Sequence, residues 1–321
     1  MSLAGKRGSS APAMRCAFLG AIAVLATLAL PAAAGASARA APGDCTTSKA
    51  GNPSPLDGVC DYLDARKGVV QVALFDHDSG RLYALSTGDD KQYTASIVKV
   101  GILGEWLHAY QLDGVEIPDG IGYSIKYLMQ RMIENSDNAA ATSLFHFGGG
   151  CDALTRFDAL LPLDSTEVAC ESPTYYGWGN TTTTAADQVR MMKVFAYGKP
   201  KHVLGQDARS YGRQLMESVE PAQRFGVTCG PWGTACDAPD FAPPDADVTV
   251  ALKNGWKTLP TCTQPVDQCP WQVNSIGSVN GRGRNYVLAV LTTHDPAGSG
   301  LNYGIDTIQH VSQRIWSNLS P

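Results

Sequence analysis

Ser96-Ile97-Val98-Lys99 sets a hydroxyl and an amine three positions apart at the predicted start of a helix, on neighbouring positions of its first turn. A serine attacks a carbonyl only once a base takes its proton, and a lysine whose pKa is lowered by desolvation can be that base. The helix N-terminus adds backbone N–H groups for an oxyanion and disfavours a protonated lysine. Alone, the pattern carries almost no information, because a capping serine and a surface lysine give the same spacing. Forty residues on, Ser136-Asp137-Asn138 follows a predicted amphipathic helix ending Met132-Ile133-Glu134-Asn135. A hydroxyl there can relay a proton between the lysine and a leaving group, and an amide can both donate to and accept from a substrate amide. The same three residues suit a helix N-cap or a turn. A third group, Lys253-Asn254-Gly255-Trp256, comes directly after the apolar strand predicted over Val248–Leu252. A cation and a glycine on a strand edge let a substrate backbone lie close while an anionic group is held.

Positioning these groups requires a frame, and the flanking sequence supplies one. Val69–Ser86 reads as two alternating strands around Asp78-Ser79-Gly80, a hairpin signal. Val100 to Leu112 has apolar residues at helical spacing. Between Tyr123 and Glu134, Ile125, Leu128, Met129, Met132 and Ile133 fall on one helix face. Thr184-Ala185-Ala186-Asp187 is a capping-box pattern opening another helix. Residues 226–247 read as a loop; Val248–Leu252, Trp271–Val279 and Asn285–Thr293 read as strands, and Tyr303–Leu319 as a closing helix. The expected fold class is α/β (an α+β sandwich): an antiparallel sheet from N- and C-terminal strands flanked by helices, with an inserted all-helical lobe. The middle holds no convincing strand of its own. The expected boundaries are a lobe over about 96–245 and a sheet body over about 62–95 plus 246–321, in one catalytic domain spanning 39–321.

The chain has 321 residues, 44% hydrophobic and 17% charged, which excludes a disordered protein. A net charge of −5 argues against nucleic-acid binding through bulk positive charge. Lys6, Arg7 and Arg15 precede the uncharged apolar run Cys16–Leu30, and Ala36-Ser37-Ala38 forms an A-x-A cleavage pattern. Residues 1–38 therefore read as a secretory signal peptide, whose run is too short for a membrane span of about 20 residues. Its removal leaves 283 residues at −8 and an even eight of the nine cysteines. The expected product is secreted, to an extracellular or periplasmic space, with no membrane association after cleavage. Eight cysteines in an exported chain read as disulfides, and spacing suggests Cys45–Cys60, Cys151–Cys170, Cys229–Cys236 and Cys262–Cys269. Zinc is disfavoured, since no C-x₂₋₄-C pair occurs and histidines number six.

S-x-x-K, S-D-N and a strand-borne K-x-G, in this order, resemble the penicillin-recognising serine hydrolases, namely the class A β-lactamases, DD-peptidases and penicillin-binding proteins. The resemblance spans roughly Val69 to Leu319 and implies a β-lactamase/transpeptidase-like fold. It implies that Ser96 is the acylated nucleophile, Lys99 its general base or proton shuttle, and Ser136 the proton donor to the leaving nitrogen. Asn138 would contact the substrate amide side chain, and Lys253 would orient a substrate carboxylate and support Ser136. Gly255 completes the motif, and the backbone N–H groups of Ser96 and Trp256 would form the oxyanion hole. The implied partner is a small β-lactam or peptide-like substrate, with no cofactor or metal and a monomeric protein. Two departures restrict this. Asn254 replaces the family's Ser or Thr, a hydroxyl that helps bind the substrate carboxylate. The segment Cys170–Asn180 offers Glu171 as the only candidate deacylation base, and Tyr175 stands where the family has Asn. The expectation is a serine hydrolase that acylates on β-lactams or related amides and deacylates slowly. The alternatives are a DD-peptidase, esterase or acyltransferase on D-peptide-like substrates, or a non-catalytic β-lactam-binding protein.

Overall fold

A computed structural model of the chain describes residues 54–88, 91–113, 124–170, 177–233, 236 and 247–319. The expected signal segment, Cys45 as partner of Cys60, and Glu171 lie outside the described residues. The hairpin forms as its alternation and turn residues predict: β1 (Val69–Asp76) pairs with β2 (Arg81–Ser86), from Gln71↔Ser86 to Asp76↔Arg81. The turn closes on Gly80 at φ 67°, a left-handed position that costs glycine nothing. Three further strands, β5 (Thr249–Thr258), β6 (Trp271–Gly281) and β7 (Arg284–Asp295), complete an antiparallel sheet of order β2-β1-β7-β6-β5. The two ends of the chain therefore meet through β1 and β7, in register from Val69↔Thr293 to Asp76↔Tyr286.

Strand period divides the apolar residues between two cores. Along β7, Val287, Ala289 and Leu291 enter one cluster while Tyr286, Leu288 and Val290 enter the other. The second face is covered by α1 (Val59–Asp64) and α9 (Asn302–Asn318), which contributes Ile308, Val311 and Ile315. The first face carries the helical segment: α2 (Lys99–Asp113), α3 (Ile125–Glu134), α4 (Asn138–Phe147), α5 (Gly150–Asp158), α6 (Ala185–Tyr197) and α7 (Gln206–Glu217). Val100, Ile102, Leu103, Trp106 and Leu107 of α2 are all buried, so its N-terminal half is enclosed rather than amphipathic. The five apolar residues predicted to share a face of α3 are all buried.

Several details differ from the sequence expectation. Thr182–Thr183 (β4) pairs with Gln92–Tyr93 (β3), so the helical middle does contain a short strand, which ties it to the chain just before Ser96. β5 runs through Lys253-Asn254-Gly255-Trp256 instead of ending at Leu252, because those polar residues pair with Ile276, Ser275, Asn274 and Val273. Within the expected loop 226–247, Gly226–Thr228 is a 3₁₀ turn leading into α8 (Cys229–Trp232). Thr184 caps α6 by accepting from Asp187 N, yet Asp187 does not complete a reciprocal box. Its carboxylate accepts from Ser165 N and Thr166 Oγ1 and pairs with Arg190. Among the described residues, no helix is long and apolar enough to cross a membrane.

Cys151–Cys170, Cys229–Cys236 and Cys262–Cys269 are paired, as their spacing suggested. The first closes a 19-residue separation from α5 to the segment preceding the Gly177–Asn180 turn. Closing a loop of this size lowers unfolded-state entropy by about 3 kcal/mol equivalent. Replacing both Cys151 and Cys170 with Ser is expected to lower unfolding free energy by about that amount in urea titration. An unchanged midpoint would show that this bridge does not constrain the unfolded chain.

Candidate active site

Ser96 rises from a 3₁₀ turn, Ala95–Val98, that runs directly into α2. Its neighbours Ala95, Ile97, Val98 and Lys99 are buried while Ser96 itself stays partly exposed, so the hydroxyl can be reached. Ala95 has φ 46°, a conformation an L residue adopts only when its surroundings impose it. The surroundings are identifiable. Thr94 N donates to Thr181 O at 2.7 Å, and Asn274 Nδ2 donates to Tyr93 O at 2.9 Å and Thr94 O at 3.0 Å. Gly255 closes the arrangement: a Cβ there would lie 2.6 Å from Ser96 N and 2.8 Å from Ile97 N. The β5 backbone and the serine turn approach each other more closely than any side chain permits.

Lys99 begins α2 and is wholly buried. Its Nζ donates to Ser136 O at 2.7 Å, Ser136 Oγ at 3.2 Å and Asn138 Oδ1 at 2.7 Å. Those three bonds occupy every proton of an ammonium, so the amine, though one turn from Ser96, is aimed at the Ser136–Asn138 segment. The Trp178 ring lies over it, with its centroid 5.0 Å from Nζ. Burial lowers the Lys99 pKa to about 7, against the opposing pull of the Asp137 charge.

Ser136 and Asn138 are presented by the α3–α4 junction. Asp137 is the N-cap of α4, accepting from Ala139 N at 2.8 Å and Ala140 N at 3.0 Å, and it pairs with Arg131 at 3.0 Å. The capping role of Asp137 therefore coexists with the contacts of Ser136 and Asn138 to Lys99. Ser136 is held at φ 55°, a strained position costing about 1–3 kcal/mol. The bond from Lys99 to its carbonyl, and Asp137 N donating to Arg131 O at 3.0 Å, keep it there.

From the opposite side Lys253 Nζ donates to Ser136 Oγ at 2.9 Å and to Asn254 O at 2.8 Å. Lys253 is fully buried, and burial followed by the nearby Lys99 charge pushes its pKa well below the ordinary lysine value. One hydroxyl is thus shared by two buried amines. It can accept from a protonated amine and donate to a neutral one, which is the wiring of a proton relay.

Strand alternation separates the remaining motif residues. Lys253, Gly255 and Lys257 face Ser96 and the helical segment, whereas Asn254 and Trp256 face the other core. Asn254, expected to bind substrate, has its Nδ2 committed to Gln223 O at 2.8 Å and Phe225 O at 3.1 Å. The Trp256 ring packs 5.8 Å from that of Phe225, so only its backbone can serve the site. Trp178, Asn274 and Thr181 were not singled out for the site by sequence. Their contributions arise from contacts between segments far apart in the chain, with no local pattern to mark them. Among the described residues, no group of three or more His, Cys, Asp or Glu could hold a metal ion.

The lowered Lys99 pKa has a thermodynamic consequence. Above pH 7 the unfolded chain holds a proton on this amine that the folded chain has released, so stability rises with pH from about 7 toward 10.5. Below pH 7 both states are protonated and the contribution vanishes. Urea midpoints measured across that window should climb more steeply for the native protein than for Lys99→Met; equal slopes would mean that Lys99 titrates normally.

Residues 111–319 match the family described as the beta-lactamase enzyme family, a span that takes in Ser136, Asn138, Lys253 and Gly255. No protein of curated function matches the chain. Among solved structures, a class A beta-lactamase from Mycobacterium abscessus is 17% identical, with 82% of this chain and 98% of that one covered at a TM-score of 0.63. A representative class A beta-lactamase from Bacteroides cellulosilyticus is 16% identical over 84% and 99% of the two chains, at a TM-score of 0.64. PBP-A, in an acyl-enzyme complex with penicillin G, is 19% identical over 82% and 95%, at a TM-score of 0.61. These likenesses agree on the fold: an antiparallel sheet flanked by helices, with the helical segment between its N- and C-terminal strands. With the match extending over well more than half its length and the fold concordant, the chain belongs to the beta-lactamase enzyme family.

Proposed function

We propose that this protein is an active-site serine hydrolase, acylated at Ser96 by β-lactams or related amides, whose acyl-enzyme turns over slowly. The observation that carries this reading is the Ser136 hydroxyl held between Lys99 and Lys253, together with a partly exposed Ser96 one turn from Lys99. Lys99, with a pKa near 7, is neutral in a large fraction of molecules at neutral pH and can take the Ser96 proton. Ser96 Oγ then adds to the carbonyl, and the oxyanion is met by the backbone N–H groups of Ser96 and Trp256. Ser136 passes its proton to the leaving nitrogen as the C–N bond breaks, and regains one from the amine at its back. Asn138 orients the substrate amide, and Lys253 holds the carboxylate on the leaving side.

Slow deacylation follows from what surrounds Lys99. Its bonds go to Ser136 and Asn138, its outer side lies under the Trp178 ring, and no carboxylate among the described residues is bonded to it. Among the described residues, which do not include Glu171, no carboxylate stands beside Lys99 to activate water at the acyl-enzyme. An acyl-enzyme that water attacks slowly is also open to an amine acceptor, which favours a DD-peptidase or acyltransferase as the second reading. We further propose that the protein works outside the cytoplasm after loss of residues 1–38; three disulfides support export.

A fluorescent penicillin should label the native protein and leave Ser96→Ala unlabelled. Ser136→Ala should slow labelling by about 10²-fold, the scale of a lost general acid. Intact-protein mass spectrometry should show a persistent adduct; rapid release with a chromogenic cephalosporin would refute slow deacylation. Absence of any adduct, with reversible binding preserved, would indicate a binding protein instead. Peptides ending D-Ala-D-Ala separate the two enzymatic readings.

A further inference from the structure

We infer that Lys257 is a second substrate-binding cation, and that the preferred substrate carries an anionic group on its acyl side in addition to the one held by Lys253. The inference rests on acylation at Ser96 as proposed above. β5 is an edge strand of the sheet, and Lys253, Gly255 and Lys257 alternate onto the face that meets Ser96. At about 3.4 Å per residue, the two lysines stand about 7 Å to either side of Gly255 along the strand. Gly255 marks the serine backbone, where a Cβ would lie 2.6 Å from Ser96 N. Lys253 lies on the side of Ser136, the group placed to protonate the leaving nitrogen. A substrate extended along this edge with its carbonyl at Ser96 therefore runs its leaving half toward Lys253 and its acyl half toward Lys257.

The environment of Lys257 is that of a waiting ligand group rather than a solvated surface lysine. It is half-buried, its Nζ donates to Asn180 Oδ1, and it stands 5.2 Å from the centroid of the Tyr93 ring. Those two contacts come from segments far apart in sequence, the Gly177–Asn180 turn and β3, and they fix the amine in place. No ion pair among the described residues includes Lys257, whereas Lys91 pairs with Glu167. Desolvation lowers its pKa, and among the described residues no carboxylate offsets it, so an arriving anion would be favourably received. One amide oxygen leaves two of its three N–H groups for a ligand carboxylate.

Two penicillins differing only by a carboxylate on the side-chain methylene test this directly, by comparing second-order acylation rate constants. The native protein should react with the carboxylated compound about tenfold faster, the scale of one charge-assisted hydrogen bond. In Lys257→Met the ratio of the two rates should fall to about one, and in Lys257→Arg the preference should persist. Equal rates for the native protein, or a preference retained in Lys257→Met, overturn this inference while leaving acylation intact. Failure of the native protein to react with either compound overturns the acylation reading and this inference together. Equal native rates overturn the inference without either variant, and a native preference is assigned to Lys257 by its loss in Lys257→Met together with its retention in Lys257→Arg.

Discussion

Two lysine amines are buried against one serine hydroxyl, and two ammonium charges cannot both be sustained there without water or a carboxylate between them. Lys99 Nζ lies 3.2 Å and Lys253 Nζ 2.9 Å from Ser136 Oγ. Burial and mutual repulsion favour loss of a proton from this pair, which makes a basic amine available at neutral pH. The rest of the architecture can be read as the means of holding that unfavourable arrangement. Lys99 is anchored at the head of an enclosed helix, Lys253 on an edge strand paired along its length with β6, and Ser136 in a left-handed conformation locked by a helix cap. Each belongs to a different element, and two apolar cores hold those elements together.

Much of this could be read from the amino-acid order. The hairpin, the α3 face and the three C-terminal strands announced themselves because period-2 and period-3.6 patterns are local. The three motifs were visible for the same reason, each being a short stretch of chemically suited residues. What escaped was non-local. Asn274 holding the carbonyls before Ser96, Trp178 over Lys99 and the β3–β4 ladder depend on contacts across 79 or more residues of sequence. The sequence reads K-x-G as strand-borne yet bounds the strand at Leu252, short of the Thr258 end of β5, because polar letters also look like a turn. Pairing with β6 keeps them in the strand, and burial supplies the environment that changes their chemistry.

Once β5 is recognised as strand through Thr258, the behaviour of its side chains follows from the pleat. Asn254 and Trp256 lock the strand onto the second core through Gln223 and Phe225, leaving the other face free of their bulk. Substitution of a family hydroxyl by Asn254 is thus an anchoring change as much as a binding one. Its amide fastens the edge strand to the 223–225 segment, and the next residue, Gly255, lies against Ser96.

Ser96 lies 157 residues before Lys253, and Ser136 lies 117 before it. A nascent chain that has not yet produced β5 has Ser96, Lys99 and Ser136, but neither the Lys253 amine nor the glycine against which the serine turn closes. Proteolysis between α4 and β5 followed by separation of the pieces would have the same effect. The arrangement around Ser96 is therefore a property of the finished polypeptide: until the last third of the chain is in place, the serine turn lacks the close approach of Gly255 and Ser136 lacks the amine of Lys253.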